Sequence, residues 1–330
     1  MRRIRHWFPL FAGTLVLLAG IGGCAENSME PSDGVPPGSV TNETEAMQYY
    51  AAADAFVSNE EQTFSDVALD AIEGPHGITA PIIPVSWGRF VANVTVTTTT
   101  TIETGDSLAT VKVDKDITGA FRILAKYSLS DTSTFLIEKP FTDHSVRNVI
   151  FKRVGRETGR FWLNWIPVAT SLVDGKTINP PADQDVNITQ LEFITPAGNT
   201  ISITDPSEFY LRYRWRNVRC AKAGVDVPEL STGETFSVRA TVVSTSADTD
   251  KCVLRYGASL VTRKRMSMPL LSQTDNGDGT FTRIYELSAE ILHQPGFFHA
   301  GVVVLSRKTM FDDDPASYSV NWWGMPYRVL

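Results

Sequence analysis

The sequence is short of the residues and motifs that mark most enzymes. Its 330 residues include only three cysteines, and they contain no Gly-x-Ser-x-Gly nucleophile elbow and no glycine-rich phosphate loop. The histidines are too scattered for a zinc site, which needs ligands in tighter groups. We therefore predict no catalytic residue, no metal site and no cofactor, and a binding or structural role is favoured over an enzymatic one.

Runs of Lys and Arg like those that bind nucleic acid are also missing, and this argues against the usual nucleic-acid-binding classes. The formal net charge is −7, and it becomes −7 − 3 = −10 once Arg2, Arg3 and Arg5 of the extreme N-terminus are removed. Beyond the first two dozen residues, no apolar run approaches the length needed to span a bilayer. Nucleic acid is therefore not an expected partner.

The N-terminus has the three parts of an export signal in order. Basic residues are followed by an apolar run over 7–21, and the segment ends in Ile21-Gly22-Gly23-Cys24. That ending resembles the lipobox of bacterial lipoproteins, in which the signal is cut just before the cysteine and the thiol is lipidated. The resemblance implies a signal peptide over 1–23, a lipidation site at Cys24 and a membrane contact through the lipid anchor. Two or three acyl chains on one residue make such an anchor stable.

The residue after the lipobox cysteine is Ala25 rather than Asp. By resemblance to Gram-negative lipoproteins, the lack of Asp there points to the outer membrane, on either its periplasmic or its surface face. Two further cysteines remain, Cys220 and Cys252. Because the cell envelope is oxidising, we predict a disulfide between them.

The mature chain divides by composition into a tether and two folded regions. Residues 24–43 are rich in Pro, Ser and Gly and poor in apolar residues, which is typical of a flexible tether. Residues 44–205 begin with a helical pattern capped by Thr44, followed by a weaker helical turn over 65–72. Valine- and threonine-rich strand patterns follow, so an α+β domain with an antiparallel sheet is predicted. Over roughly 44–175 the order of elements, with Lys139-Pro140-Phe141 before a strand pattern at 146–154 and a Trp-rich stretch at 161–165, resembles the cone-shaped fold of the nuclear-transport-factor-like superfamily, and this implies a ligand cavity.

Residues 206–330 show short alternating strands separated by turns, a pattern that predicts a β-sandwich. The run Asp275 to Phe281, followed by Pro295-Gly296-Phe297-Phe298 and an apolar strand, resembles immunoglobulin-like repeats of the filamin and bacterial surface-protein type. The chain as a whole is therefore predicted to be mainly β. We interpret the Asp-rich run as a hairpin turn centred on Asp278-Gly279, and Asp312 to Asp314 as a solvated loop rather than a calcium site.

Two groups of side chains are candidates for a partner surface. Arg212, Arg214 and Arg216 share one face of a predicted strand over 209–216, where they either pair with neighbouring carboxylates or form a cationic stripe for an anionic glycan. Near the C-terminus stand Trp322, Trp323 and Tyr327. Because adjacent residues of a strand face opposite sides, at least one tryptophan is expected to be exposed.

Three hypotheses for function follow. The first is a non-catalytic lipoprotein of the outer membrane that contacts another envelope protein or a glycan. The second is a small-ligand binder that uses a cavity in residues 44–205. The third is a hydrolase with scattered carboxylates.

Overall fold

The computed structural model describes residues 40–53, 66–68, 81–103, 105, 107–154, 164–179, 185–213, 224–257, 264–292 and 294–330. Most of these residues lie in β-strands, so the predicted mainly-β fold is confirmed. No helix in the described ranges is long and apolar enough to cross a membrane.

The described residues form two helices and eighteen strands. The helices are α1 (Glu43–Ala53) and α2 (Arg307–Phe311). In chain order, the strands are β1 (Asp66–Ala68), β2 (Ile83–Ile102), β3 (Leu108–Lys126), β4 (Phe135–Arg153), β5 (Trp165–Ser171), β6 (Val173–Asn179), β7 (Val186–Ile194), β8 (Thr200–Ile203), β9 (Tyr210–Arg212), β10 (Val225–Asp226), β11 (Glu229–Leu230), β12 (Thr235–Ser244), β13 (Lys251–Gly257), β14 (Lys264–Ser267), β15 (Leu270–Asp275), β16 (Phe281–Glu290), β17 (Gly296–Leu305) and β18 (Val320–Val329).

The larger sheet has the strand order β1-β2-β3-β4-β6-β18-β17-β13-β14, with four short strands attached beside this path. It curls so that its two ends approach each other. The guanidinium of Arg265, on the last strand, lies 4.1 Å from the ring centre of Trp87, on the second strand. A buried apolar cluster inside the curl draws on strands from both ends of the sheet. Its members include Trp87, Ile117, Phe121, Phe141, Val253, Val303, Leu305 and Trp322.

The smaller sheet has the order β15-β16-β12-β7-β8 and packs on β13, β17 and β18 of the larger one. Alternation along β12 explains why one face is buried: Phe236, Val238, Ala240 and Val242 all point into the shared core, as the sequence predicts. The opposing strands supply the other half of that core. They contribute Cys252, Leu254, Tyr256, Phe298, Ala300, Val302, Val304, Trp323, Met325 and Tyr327.

Strand pairing crosses the boundary predicted between residues 205 and 206. β7 pairs with β12, and β6 pairs with β18 through the register Trp322↔Gly175. The sandwich therefore includes strands that precede residue 206, and residues 35–330 form one compact unit.

Some predictions of local structure are confirmed and others are wrong. The hairpin at 275–280 is confirmed, since β15 and β16 pair across it and both Gly277 and Gly279 adopt positive φ. The helical turn predicted over 65–72 is wrong where the structure describes it, because Asp66–Ala68 pair with β2 as a strand. The cap of α1 is Asn42 rather than Thr44, since its Oδ1 accepts a hydrogen bond from the Glu45 N–H at 2.9 Å.

Candidate functional site: an exposed apolar tip and a groove beside it

Large apolar side chains are exposed together at the end of the β3–β4 hairpin. We name this surface the apolar tip and define it as Val85, Leu124, Tyr127, Leu129 and Leu136. Tyr127, Leu129 and Leu136 are 61%, 79% and 60% exposed. Contiguous exposed apolar surface of this kind typically marks a contact site for a protein or a membrane.

Strand register explains why these residues lie together. Leu124 of β3 pairs directly with Leu136 of β4, and both point away from the inner cluster because their neighbours Ile123 and Ile137 point into it. Tyr127 stacks on Phe135 with ring centres 4.3 Å apart. Leu124 and Leu136 therefore lie on paired strands, and Tyr127 and Leu129 extend the tip into the turn that connects β3 to β4.

A groove of about 740 Å³ lies on the same three strands, farther from the hairpin turn. Phe90, Thr118, Pro140 and Thr142 are among its lining residues, and Pro315 and Ala316 close one side. A bulge in β2 between Val91 and Asn93 shifts the register against β3 at this point.

The cations that flank these surfaces are already bound within the protein. Arg122 Nε lies 2.8 Å from Glu138 Oε2, and its guanidinium is 4.6 Å from the Phe90 ring centre. Lys126 Nζ donates to the Asp131 carbonyl at 2.8 Å. Asp131 also brings a carboxylate, which accepts from the Ser128 N–H at 2.8 Å. Two cations and two carboxylates therefore balance at this surface, and its net neutrality suits an uncharged partner better than an anionic one.

Inside the curled sheet, Asp143 is the centre of a buried polar cluster. Its carboxylate binds Arg89 Nη2 at 2.7 Å and accepts from the hydroxyls of Thr177 at 2.9 Å and Tyr318 at 3.2 Å. Burial raises the pKa of the Asp143 carboxyl, while the Arg89 charge and the two hydroxyl groups oppose that rise. Because none of these groups is exposed to solvent, we assign the cluster to stability rather than to binding.

Lys139 is another buried cation, and it joins β4 to α2 and to the segment after it. Its Nζ donates to the Lys308 carbonyl at 2.9 Å and to Ser317 Oγ at 2.6 Å. Burial lowers the pKa of the Lys139 amine from 10.5 to about 8, against the opposing charges of Asp312, Asp314 and Asp313.

This pKa predicts that Lys139 makes a contribution to stability that grows in mildly alkaline solution. Below pH 8 both states of the protein hold the Lys139 proton, so the full cost of burying the ammonium is present. Between pH 8 and 10.5 the unfolded chain holds the proton more tightly, so the free energy of unfolding rises with pH, by about 3 kcal/mol at most. Urea unfolding of wild type and of Lys139→Met should be measured at several pH values across this window. The difference between their free energies of unfolding isolates the contribution of Lys139. Equal pH dependence in the two proteins would refute the assignment.

The C-terminal aromatic residues are not a partner surface. Trp322, Trp323 and Tyr327 are all buried, so the expectation of an exposed tryptophan is wrong. β18 is an inner strand of the curled sheet and is covered on both faces, with Trp322 in the inner cluster and Trp323 in the sandwich core. Trp322 packs directly against Gly175. A Cβ added to that glycine would lie 2.0 Å from Cε2 of the Trp322 indole.

Of the predicted arginine stripe, the structure describes Arg212 alone. Arg212 Nε donates to Asp226 Oδ1 of the adjacent β10 at 2.6 Å. Pairing with a neighbouring carboxylate is one of the two interpretations that the sequence offers for this residue. Arg214 and Arg216 lie outside the described residues.

No disulfide is present among the residues that the structure describes. Cys252 is a free thiol buried in the sandwich core, with its Sγ 3.5 Å from Met268 Sδ. Its side chain points between the two sheets, which is the direction that alternation along β13 imposes. Cys220, the proposed partner, and Cys24, the proposed lipidation site, lie outside the described residues.

The acidic run from Asp312 to Asp314, which precedes β18, forms a local turn. Asp312 accepts from the Asp314 N–H and Asp314 from the Ala316 N–H, both at 2.9 Å. Within the described part of the chain, no three side chains of metal-ligating type are grouped to hold an ion.

Sequence reasoning missed the apolar tip. The available signal was the uninterrupted run Phe135-Leu136-Ile137, in which a strand with only one buried face exposes at least one apolar residue. Comparison with known proteins adds no further guide, since the sequence matches no family model and no curated protein significantly.

Proposed function

We propose that the protein is a lipid-anchored binding protein of the bacterial outer membrane, which contacts another envelope protein through the apolar tip. The exposure of that surface is the observation that carries the proposal. The exposed Tyr and Leu side chains at the end of this hairpin resemble the central residues of protein interfaces, where aromatic residues are enriched and charged residues are few.

The anchor in this proposal rests on the sequence. A basic start, an apolar run and Ile21-Gly22-Gly23-Cys24 occur in the order and spacing of a lipobox. The resemblance of residues 206–330 to immunoglobulin-like modules supports the same role, because such modules usually serve as adhesion units and spacers. An anchor also raises the effective concentration of a binding surface near the membrane.

The proposal predicts that recruitment of a partner to the membrane fraction needs both the lipid and the apolar tip. Cys24→Ala should lose fatty-acid labelling and release the protein, together with its partner, from that fraction. The double variant Leu129→Asp, Leu136→Asp should keep the label and the fold but lose more than about tenfold in affinity, since two buried leucines each contribute roughly 1.5–3 kcal/mol. The measurement is metabolic labelling combined with quantitative co-purification of a cross-linked partner.

Leu271→Asp is the matched control for this experiment. Leu271 lies on β15 and is 61% exposed, which is close to the 60% of Leu136, but it is outside the apolar tip. Equal capture by the tip variant and wild type would contradict the proposal, as would fatty-acid label that persists on Cys24→Ala.

A second candidate function is the binding of a small ligand or glycan segment in the groove. The groove's mixed lining of Phe90, threonine hydroxyls and the Arg122–Glu138 pair favours this alternative, since ligand sites combine apolar walls with a few polar groups. The tip variant leaves those residues unchanged. Binding that survives it does not depend on the tip and is then tested at the groove.

A further inference from the structure

Three rows of paired residues form the floor of the groove. Their neighbours Phe121 and Phe141 are buried inside the curl, so the rows lie together on the outer face of the sheet. Successive rows are two residues apart along β3, or roughly 6.6 Å. In order they consist of Arg122 and Glu138, then Phe90, Ala120 and Pro140, then Thr118, Thr142 and Asn179, and all of these residues line the groove.

The order of the rows places an apolar strip between two polar rows. Ala120 is the smallest residue of the strip, and Phe90 and Pro140 pair with it from the strands on either side. Arg122 packs on Phe90 with its guanidinium 4.6 Å from the ring centre, so the donors of the charged row reach the edge of the strip. A ligand that fits this floor therefore has an apolar face and hydrogen-bonding groups around its rim.

The charges around the groove disfavour a charged ligand. Arg122 Nε donates to Glu138 Oε2 at 2.8 Å, and the other residues described in the lining are uncharged, so the groove is neutral as a whole. Asp313 and Asp314 directly precede Pro315, where they would repel an anion. A cation would compete with Arg122 for Glu138. A purely apolar ligand is disfavoured as well, because it would remove water from the two polar rows without replacing its hydrogen bonds.

The wall of the groove, Pro315 and Ala316, is held in place by hydrogen bonds within the protein. The Ala316 N–H donates to Asp314 Oδ1 at 2.9 Å, and the next residue, Ser317, accepts from Lys139 Nζ at 2.6 Å. The proline ring also fixes its own φ. A ligand that binds against this wall therefore loses little affinity to the ordering of the chain.

From this arrangement we infer that the groove binds an uncharged sugar ring. A pyranose ring with equatorial hydroxyls has apolar C–H groups on its faces and hydroxyls around its rim. Its face lies on the apolar strip, and its rim reaches the Arg122–Glu138 pair on one side and the hydroxyls of Thr118 and Thr142 on the other. Each sugar hydroxyl both donates and accepts, as the threonine hydroxyls do. The inference rests on the second candidate function, and it adds the class of ligand and the residues that recognise it.

Binding of trisaccharides that differ in charge tests the ligand class. The full-length chain is kept in lauryldimethylamine oxide, whose headgroup carries no sugar, and the probes are uncharged cellotriose, anionic trigalacturonate and cationic chitosan trisaccharide. Saturation-transfer difference NMR gives the dissociation constants. We expect cellotriose to bind with a dissociation constant of about 1 mM and each charged probe to bind at least about fivefold more weakly. Equal or tighter binding of a charged probe, or no binding of cellotriose at about 20 mM, would overturn the inferred class.

Two substitutions on the floor test the site. Ala120→Gln fills the apolar strip and should abolish cellotriose binding, whereas Thr142→Val removes a single hydroxyl and should weaken binding about threefold to tenfold. Thr99→Val is the matched control and should leave the affinity unchanged, since Thr99 is an exposed residue of β2 outside the lining of the groove. Because valine has nearly the shape of threonine, Thr142→Val tests the site even if Ala120→Gln lowers stability. Unchanged affinity in Thr142→Val and Ala120→Gln would refute the placement of the ring.

The outcomes separate this inference from the second candidate function. If a charged trisaccharide binds most tightly and Ala120→Gln abolishes that binding, the ligand class is wrong while the groove remains a ligand site. If Ala120→Gln changes the binding of none of the probes, the second candidate function fails together with the inference. Neither result bears on partner capture by the apolar tip, which is tested separately.

Discussion

Asp143→Leu should lower the free energy of unfolding by about 3–5 kcal/mol, because it leaves the Arg89 guanidinium buried without its carboxylate. Arg89 and Asp143 are 3% and 0% exposed and lie 2.7 Å apart. The substitution also removes the acceptor of the Thr177 and Tyr318 hydroxyls, so three buried donors lose a partner at once. Urea unfolding followed by circular dichroism measures the loss.

A double-mutant cycle shows whether the charge itself is responsible. Arg89→Met combined with Asp143→Leu removes both charges, and a buried ion pair replaced by apolar groups of similar volume is often neutral or stabilising. The double variant should therefore recover most of the stability that Asp143→Leu loses. Glu138→Leu, which breaks the exposed pair with Arg122, is the control and should cost less than about 1 kcal/mol. A loss below 1 kcal/mol for Asp143→Leu would contradict the assignment of this cluster to stability.

The sequence predicts local strand structure well because alternation depends only on neighbouring residues. Ala109, Val111 and Val113 face the core, as their spacing indicates, and so does the inward set of β12. Strand ends were harder to predict. Gly119 and Pro140 look like breaks, yet β3 and β4 run through both, with Gly119 paired to Phe141 and Pro140 to Ala120.

The sequence could not predict that the sandwich and the curled sheet share strands, because the strand pairings that join them link residues far apart in the chain. Trp322 pairs with Gly175, 147 residues away, and nothing in either local pattern specifies the other. The burial of Trp322 depends on that contact. Alternation predicts that neighbouring tryptophans face opposite sides, but it does not reveal that both sides of β18 are covered.

The apolar tip could not be predicted from the sequence for a related reason. An apolar run such as Phe135-Leu136-Ile137 fits a strand buried on both faces as well as a strand with one exposed leucine. The choice depends on what covers the outer face of β3 and β4. At Leu136 the described residues place only the side chains of the neighbouring strands beside it, and the side chain stays 60% exposed.

Asp250→Leu should destabilise the protein by about 3–5 kcal/mol, for the same reason as Asp143→Leu but in a different part of the fold. Asp250 and Arg283 form an ion pair in which both side chains are fully buried. Arg283 Nε also donates to Gln273 Oε1 at 2.7 Å, and Asp250 Oδ1 accepts from the Arg307 N–H at 2.9 Å. The pair therefore joins β15 and β16 of the small sheet to the start of α2.

Comparing the two variants tests whether residues 35–330 unfold as one unit. If the shared strands β6, β7 and β18 couple the curled sheet to the sandwich, each variant should reduce hydrogen-exchange protection by a similar free energy in β4 and in β16. Exchange measured by mass spectrometry on peptides from both strands gives the comparison directly. If Asp250→Leu instead lowered protection in β16 and left β4 unchanged, with the reverse for Asp143→Leu, the chain would unfold as two domains. That outcome would support the boundary between residues 205 and 206 that the sequence predicts.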